Sequence, residues 1–380
     1  MLMGWHAQKR REVGGLPPSV SGAGATGPSN TAVILGSVRW NFMWQRHQGV
    51  AVALAKLGYR VEYVEPHPRG LTHVLSLVVR RLRDRVRRSS RRSRLVHDNP
   101  GVRVHRWSLW AIVTGQMRSS AVREAVGSRP DLLILYLPSR RNMRLLRSLD
   151  PGRIVYDDVM DWAAAARSSF PPRGWRRVVV EIRRWAEQGK IEVWTDSSAG
   201  LAKWRAAGIS AELVMPKADD EFLQRNWRPA PRETKLGYFG TVRYGEVDVE
   251  YLAELSEYAS VEIVGEIDKA SQGKLSDSSV VCYPAVPLKR LVEIVETWSD
   301  VVLPYRLGPR SATLTPAKLM NALASERAVH QSGLSLPDPY GNWINDLPER
   351  PEQFMPGQAG PCPSWLLESW TDALRGLLAP

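Results

Sequence analysis

The sequence predicts an α/β protein made of two Rossmann-like domains that face each other across an interdomain cleft. Three observations predict it. Strand-like apolar runs alternate with helical stretches along most of the chain, as in parallel sheets covered by helices. The alternation breaks at residues 226–233 (NWRPAPRE), where two prolines mark a linker. With 380 residues and 43% hydrophobic content, each half can bury its own core. The expected organisation is a disordered tail over 1–30, an N-terminal Rossmann-like domain over 31–225 and a C-terminal Rossmann-like domain over 226–380, with the option that the last helix packs back on the first domain.

Residues 1–30 are rich in Gly, Ser, Ala and Pro and lack periodicity. Gly22, Gly24 and Gly27 formally match GxGxxG. A dinucleotide site needs that motif between a strand and a helix, and here it precedes the first strand. Ala32–Leu35 reads as that strand, Gln45–Leu57 as a helix with Val50, Leu54 and Leu57 at helical spacing, Gly58 as its C-terminal cap and Arg60–Val64 as the second strand. Further strands are expected at Val102–Trp107, Leu132–Leu137, Ile154–Tyr156, Ile191–Thr195 and Leu213–Met215, with a helix at Ser198–Ala207. After the linker the pattern restarts. Strands fall at Lys235–Phe239, Val261–Val264, Val280–Tyr283, Val301–Pro304 and Ala328–His330, and helices at Tyr251–Tyr258, Leu288–Val295, Pro316–Ser325 and Pro363–Leu378.

Charge is uneven. Residues 1–200 carry 34 Lys and Arg against 15 Asp and Glu, and the remainder 18 against 24. The basic half suits an anionic surface or partner, the alternative being a merely soluble basic domain. Residues 71–95 join an apolar stripe (Leu71, Val74, Leu75, Val78, Val79, Leu82) to nine arginines between Arg80 and Arg94. Two readings stand: a helix lying on an anionic membrane, or an ordinary helix with a solvated face. No apolar run approaches the roughly 20 residues that span a bilayer. The N-terminus has no apolar signal-like segment, and two cysteines, Cys282 and Cys362, make no disulfide framework or CxxC site. A cytoplasmic protein is expected, with peripheral attachment at the inner face of the membrane as an option.

Ligands of open parallel sheets bind where strands end and loops enter helices. Four loops qualify. The first, from Gly36 to His47, carries Trp40, Trp44 and His47; the second follows Tyr156 with Asp157, Asp158 and Asp161. Asp157 or Asp161 would orient or deprotonate a substrate hydroxyl, as would His47; the alternatives are helix capping by Asp157 or Asp158 and a structural histidine. The third loop follows Phe239 with Gly240 and Arg243, beside Gly265 at the end of the next strand. The fourth follows Pro304 with Tyr305, Arg306 and Arg310 and enters a helix at Thr315-Pro316-Ala317-Lys318. Thr315 fits an N-cap and Pro316 the first helical position. That helix start, with Arg306, Arg310 and Lys318, suits a diphosphate, and Gly240 would let backbone approach it. The alternative is a set of solvated surface cations.

The stretch from Trp44-Gln45-Arg46-His47-Gln48 through Gly58-Tyr59-Arg60-Val61-Glu62-Tyr63-Val64-Glu65-Pro66 resembles the N-terminal signature of family-4-like glycosyltransferases, a group that includes enzymes of teichuronic-acid and other surface-polysaccharide assembly. Val155-Tyr156-Asp157-Asp158, Gly237-Tyr238-Phe239-Gly240 and Pro316-Ala317-Lys318-Leu319 continue the resemblance in order, over residues 31–335. It implies a GT-B fold, a nucleotide-diphosphate sugar as donor substrate in the C-terminal domain and no other cofactor. It also implies a glycan, lipid-linked or small-molecule acceptor held mainly by the N-terminal domain, with retention of configuration. It implies no metal, since basic groups neutralise the leaving diphosphate, and no D-x-D motif stands near a strand end. The chain departs from the pattern at His47, where relatives carry Pro, at Asn321, where they carry a Glu that holds ribose or sugar hydroxyls, and at Pro216-Lys217-Ala218-Asp219-Asp220, where they carry Pro-Asn-Gly-Val-Asp. The loop after Gly240 lacks their Arg…Lys pair. Competing readings are an epimerase, a transferase with a non-sugar acceptor and a non-catalytic scaffold on the same fold. No nucleic-acid motif accompanies the arginine run, so nucleic acid is not an expected partner.

Overall fold

The computed structural model describes residues 30–41, 44–66, 99, 101–106, 119–127, 129–159, 175–308, 311, 315–337, 340–358, 362–363 and 367–379. The tail over 1–29, the segment 71–95, Asp161 and Arg310 lie outside them. The first sheet collects β1 (Asn30–Leu35), β2 (Tyr59–Val64), β3 (Val102–His105), β4 (Leu132–Leu135), β5 (Arg153–Asp158), β6 (Glu192–Thr195) and β7 (Glu212–Leu213). Its helices are α1 (Arg46–Lys56), α2 (Ser119–Val126), α3 (Arg140–Leu149), α4 (Trp175–Glu187) and α5 (Ser198–Ala206); the short α6 (Asp220–Leu223) that follows packs through Phe222 into the core of the second sheet. The second sheet collects β8 (Lys235–Phe239), β9 (Ser260–Val264), β10 (Val281–Tyr283), β11 (Asp300–Pro304), β12 (Ala328–Ser332) and β13 (Asn345–Asp346). Around it run α7 (Val249–Leu255), α8 (Lys269–Leu275), α9 (Leu288–Val295) and α10 (Lys318–Ala324), while the last helix, α11 (Trp370–Leu377), packs back on the first sheet.

All ladders within both sheets are parallel. Strand order is β3-β2-β1-β4-β5-β6-β7 in the first sheet and β10-β9-β8-β11-β12-β13 in the second. Each is a doubly wound sheet whose order reverses beside its first strand, and a ligand crevice opens at that reversal. The strands read as they do because both faces are covered: Ala32–Leu35 and Leu132–Leu135 are buried throughout, which selects continuous apolar runs over alternation. One face of the first sheet packs Val33, Leu35, Leu133, Met143, Leu146 and Ile182; the other packs Ala32, Ile34, Val50, Leu54, Trp370 and Leu374. Thus α3 and α4 cover one face, and α1 with α11 the other. In the second sheet Gly237 is required by Trp298, since a Cβ there would lie 1.9 Å from the indole. That buried indole donates to Glu262 at 2.7 Å.

Helix ends follow local chemistry. Gly58 ends α1 at φ +88°, where only glycine is unstrained. Ser139 and Ser197 cap α3 and α5 by accepting from Asn142 N and Gly200 N at 3.1 Å each. Two expectations fail. Thr315 is not an N-cap and Pro316 is not the first helical residue: α10 starts at Lys318 behind Ala317. Leu319 N bonds Pro316 O at 2.9 Å instead, a tight turn that postpones the helix by two residues. Asp157 and Asp158 do not lie in a loop; both end strand β5, because the neighbouring parallel strand β6 pairs them with Trp194 and Thr195.

Candidate active site

Two clusters form where the sequence placed candidates. The first lies at the reversal of the second sheet. Gly240 leaves β8 at φ +124°, and a Cβ on it would lie 2.3 Å from Lys318 Nζ. A Cβ on Gly265 would lie 1.9 Å from the Gly240 carbonyl oxygen. Any side chain at either position would fill this space, so glycine keeps the backbone open to a third group. Lys318, at the start of α10, is hydrogen-bonded to the Tyr238 hydroxyl. Its ammonium stands 4.1 Å from the Tyr238 ring centroid and 5.6 Å from that of Tyr305, within cation–π range. Burial pushes its pKa down to about 7; Glu246 opposes the shift and Arg243 adds to it. The lysine has no carboxylate in salt-bridge contact among the described residues, and its burial favours the neutral form.

Among the described residues the other expected cations are engaged. Arg306 pairs with Asp248 at 3.3 Å and with Glu250, and lies 5.3 Å from the Tyr244 ring. Its backbone N–H donates to Glu246 O at 2.9 Å, and Asp248 N to Pro304 O at 2.7 Å. Arg306 thus pins the loop after Gly240 to the end of β11. Arg243 lies 3.5 Å from Glu246. Thr315 keeps a buried hydroxyl without a hydrogen-bond partner among the described residues.

Asn321, one turn after Lys318, is turned to a residue the sequence reading passed over. Its Oδ1 accepts from Asp219 N at 2.8 Å and its Nδ2 donates to Asp219 Oδ2 at 2.7 Å. Asp219 Oδ1 accepts from Trp44 Nε1 at 2.5 Å. Asp219 therefore joins the loop before α1 to α10, one from each half. Burial pushes its pKa up to about 7, with the Asn321 and Trp44 bonds pulling the other way. An amide at 321 matches a carboxylate at 219, whereas a Glu there would face it. The two departures from the family pattern are thus one compensated pair. We predict that Asn321→Asp costs about 2 kcal/mol by removing the donor and opposing two carboxylates. The cost grows as pH rises through 7, because a shared proton no longer replaces the amide hydrogen. The exchange Asp219→Asn with Asn321→Asp restores the loss; denaturant midpoints at pH 6 and 8 measure both.

The second cluster lies on the first sheet. Asp157 is fully buried and takes a bidentate contact from Arg46, Nε to Oδ2 at 2.7 Å and Nη2 to Oδ1 at 2.9 Å. Arg46 also donates to Val214 O at 2.6 Å and stacks 4.8 Å from the Trp370 ring. Burial works against this cation and Asp157 more than restores it, leaving its pKa raised. Asp158, one residue on, faces the opposite side of the sheet and takes bonds from Tyr156, Lys203 and Trp204. Asp196 completes the acidic group; burial holds it well above the usual carboxylate range. His47 is 3% exposed, bonded through Nε2 to Ser37 Oγ at 2.8 Å, with its ring 3.8 Å from that of Tyr136. Burial, then the Arg46 charge, pushes its pKa down to about 3, so it stays neutral. Asp157 and His47 are brought together, but inside the domain. Among the described residues no group of three or more His, Cys, Asp or Glu is placed to hold a metal ion, and no helix is long and apolar enough to cross a membrane.

No family model matches the chain, and none of the curated proteins is similar to it in sequence. Solved structures are similar to it in fold. An α-glucosyltransferase in complex with UDP and a 13-mer DNA containing an HMU base aligns over 79% of this chain and 78% of that one, at 10% identity and TM-score 0.52. A second complex of that description aligns over 79% of both, at 8% identity and TM-score 0.51. The lipopolysaccharide outer core galactosyltransferase WaaB in its apo form aligns over 92% and 91%, at 10% identity and TM-score 0.48. With the two doubly wound sheets, the likeness to the first two assigns the GT-B fold.

Proposed function

We propose that the chain is a glycosyltransferase that moves a sugar from a nucleotide-diphosphate sugar to a glycan, lipid-linked or small-molecule acceptor. The observation that carries this reading is the meeting of Gly240, Gly265 and Lys318 at the reversal of the second sheet. Open backbone beside an under-charged lysine suits a leaving diphosphate, and stabilising charge on the leaving group is the main catalytic task. Lys318 supplies a full charge when the anion raises its pKa, the Thr315 hydroxyl a spare hydrogen bond, and Arg243 a second cation at the rim. Arg306 acts by holding the loop. Asp219 is the partly exposed carboxylate between the two halves, suited to a donor or acceptor hydroxyl. Asp157 and His47 serve as buried support for the acceptor side, and Asp161 remains the acceptor-side acid of this reading. That an α-glucosyltransferase of the same fold holds UDP is in keeping with it. The reaction is read as metal-independent and retaining, in the cytoplasm, with residues 71–95 meeting an anionic membrane.

The test is nucleotide release across a panel of nucleotide sugars and acceptors. Release that requires both donor and acceptor is the expected result. Binding without release would make the chain a non-catalytic relative, and no thermal shift with any nucleotide sugar would overturn the donor site as well.

A further inference from the structure

Behind the first sheet, on the face away from α1 and Trp370, α3 and α4 carry eight arginines and two glutamates. Arg140, Arg144 and Arg147 recur at helical spacing along one exposed stripe of α3. On α4 the stripe is Arg176, Arg177, Val180, Arg183 and Arg184, all exposed. Only Arg147 among these eight arginines has an acidic partner among the described residues, Glu181. Between the helices Arg140, Arg144, Arg147 and Arg177 line one groove over Met143 and Val178. Val180 stands 56% exposed within the α4 stripe. Burial, and then the Arg144 charge, pulls Arg141 below its ordinary pKa, so the cations crowd one another.

Uncompensated like charges on two helices are destabilising by themselves, and an opposing anionic layer relieves them. We infer that the outer face of α3 and α4 docks on an anionic lipid bilayer, its arginines meeting headgroup phosphates and Val180 entering the acyl boundary. The shape favours this occupant. Helices of 10 and 13 residues are about 15 and 20 Å long, and side by side they make a patch with an exposed apolar side chain set among cations, as in interfacial helices. Duplex DNA would answer the charges but leave the valine without a partner. This surface shares no residue with the donor site, so docking is independent of the donor-site reading proposed above.

The test is co-sedimentation of the full chain with phosphatidylcholine vesicles, with and without phosphatidylglycerol, and with duplex DNA at the same ionic strength. The wild type binds only vesicles containing phosphatidylglycerol. Replacing Arg140, Arg144, Arg177 and Arg184 by Gln weakens binding by about five-fold per arginine, while a chain lacking 80–94 retains the part due to α3 and α4. Val180→Ser, which leaves every charge in place at an exposed site, weakens binding roughly five-fold. Melting temperature does not fall, and nucleotide-sugar binding stays unchanged, in each. Unaltered vesicle binding by the four-arginine variant or by Val180→Ser overturns the inference, as does wild-type binding to duplex DNA without binding to vesicles.

Discussion

Lys318→Met is expected to lower kcat/KM for sugar transfer by about 10²–10³-fold, the scale on which single groups that stabilise transition-state charge act. The pH dependence identifies the cause. In the free protein the lysine titrates at about 7. A bound diphosphate favours the ammonium, so binding takes up a proton above that pH. Affinity for a nucleotide sugar, whose diphosphate diester does not itself titrate there, is therefore highest below pH 7 and falls as pH rises. The slope vanishes in the Met variant. Stability moves the other way. Between about 7 and the ordinary lysine value of 10.5, the unfolded chain binds the proton that the folded one has released, so the wild-type fold gains stability with rising pH. Lys318→Met removes that dependence and stabilises the fold at neutral pH while losing activity, the exchange expected where function keeps a costly group. Isothermal titration across pH 6–9 with thermal melts of both proteins measures it. A sloping affinity in Lys318→Met would show that some other group takes up the proton.

Arg46→Ala is the variant expected to cost most in stability. It leaves Asp157 fully buried without its partner, withdraws the bond to Val214 O and removes the cation from the Trp370 ring. Breaking one side of a buried pair costs about 3–5 kcal/mol, which lowers Tm by on the order of 10 °C for a domain of this size. The paired change Arg46→Met with Asp157→Leu recovers much of it, since an apolar pair needs no charge compensation. Because α11 lies against α1 through this same arginine and through Trp370 beside Gly49, the single variant also loosens the C-terminal helix. Limited proteolysis after Asp346 is expected to quicken with it. Nucleotide-sugar binding by the folded fraction is retained, because Lys318 and Gly240 belong to the other sheet.

The candidate site was legible unevenly. Gly240, Gly265 and Lys318 were found because a strand end, a glycine and a helix start each leave a local mark, and the sheet brings their loops together. Asp219 left none. Its partner Asn321 is 102 residues away, and the only signal was that two motifs depart from the family pattern at once. The Asp157 and His47 assignments rested on position at a strand end, which says nothing of burial; a single arginine one helix away, Arg46, turned the aspartate into a structural anion. Thr315 and Pro316 have the residue types of a helix start, but a tight turn delays α10 by two residues.

By itself the sequence determined the two α/β units, the extent of most strands, the turn at Gly58 and the open backbone at Gly240, because these depend on neighbours a few residues apart: apolar periodicity, capping groups and the missing Cβ. Only the tertiary structure decided which charged groups pair with one another and which do not. Arg306 is taken by Asp248 and Glu250, Arg46 by Asp157, and Asn321 by Asp219, while Lys318 is left against two tyrosine rings. The physical reason is that ion pairing and desolvation act over a few ångströms in space. A chain that folds into two parallel sheets brings those distances together from residues far apart in sequence.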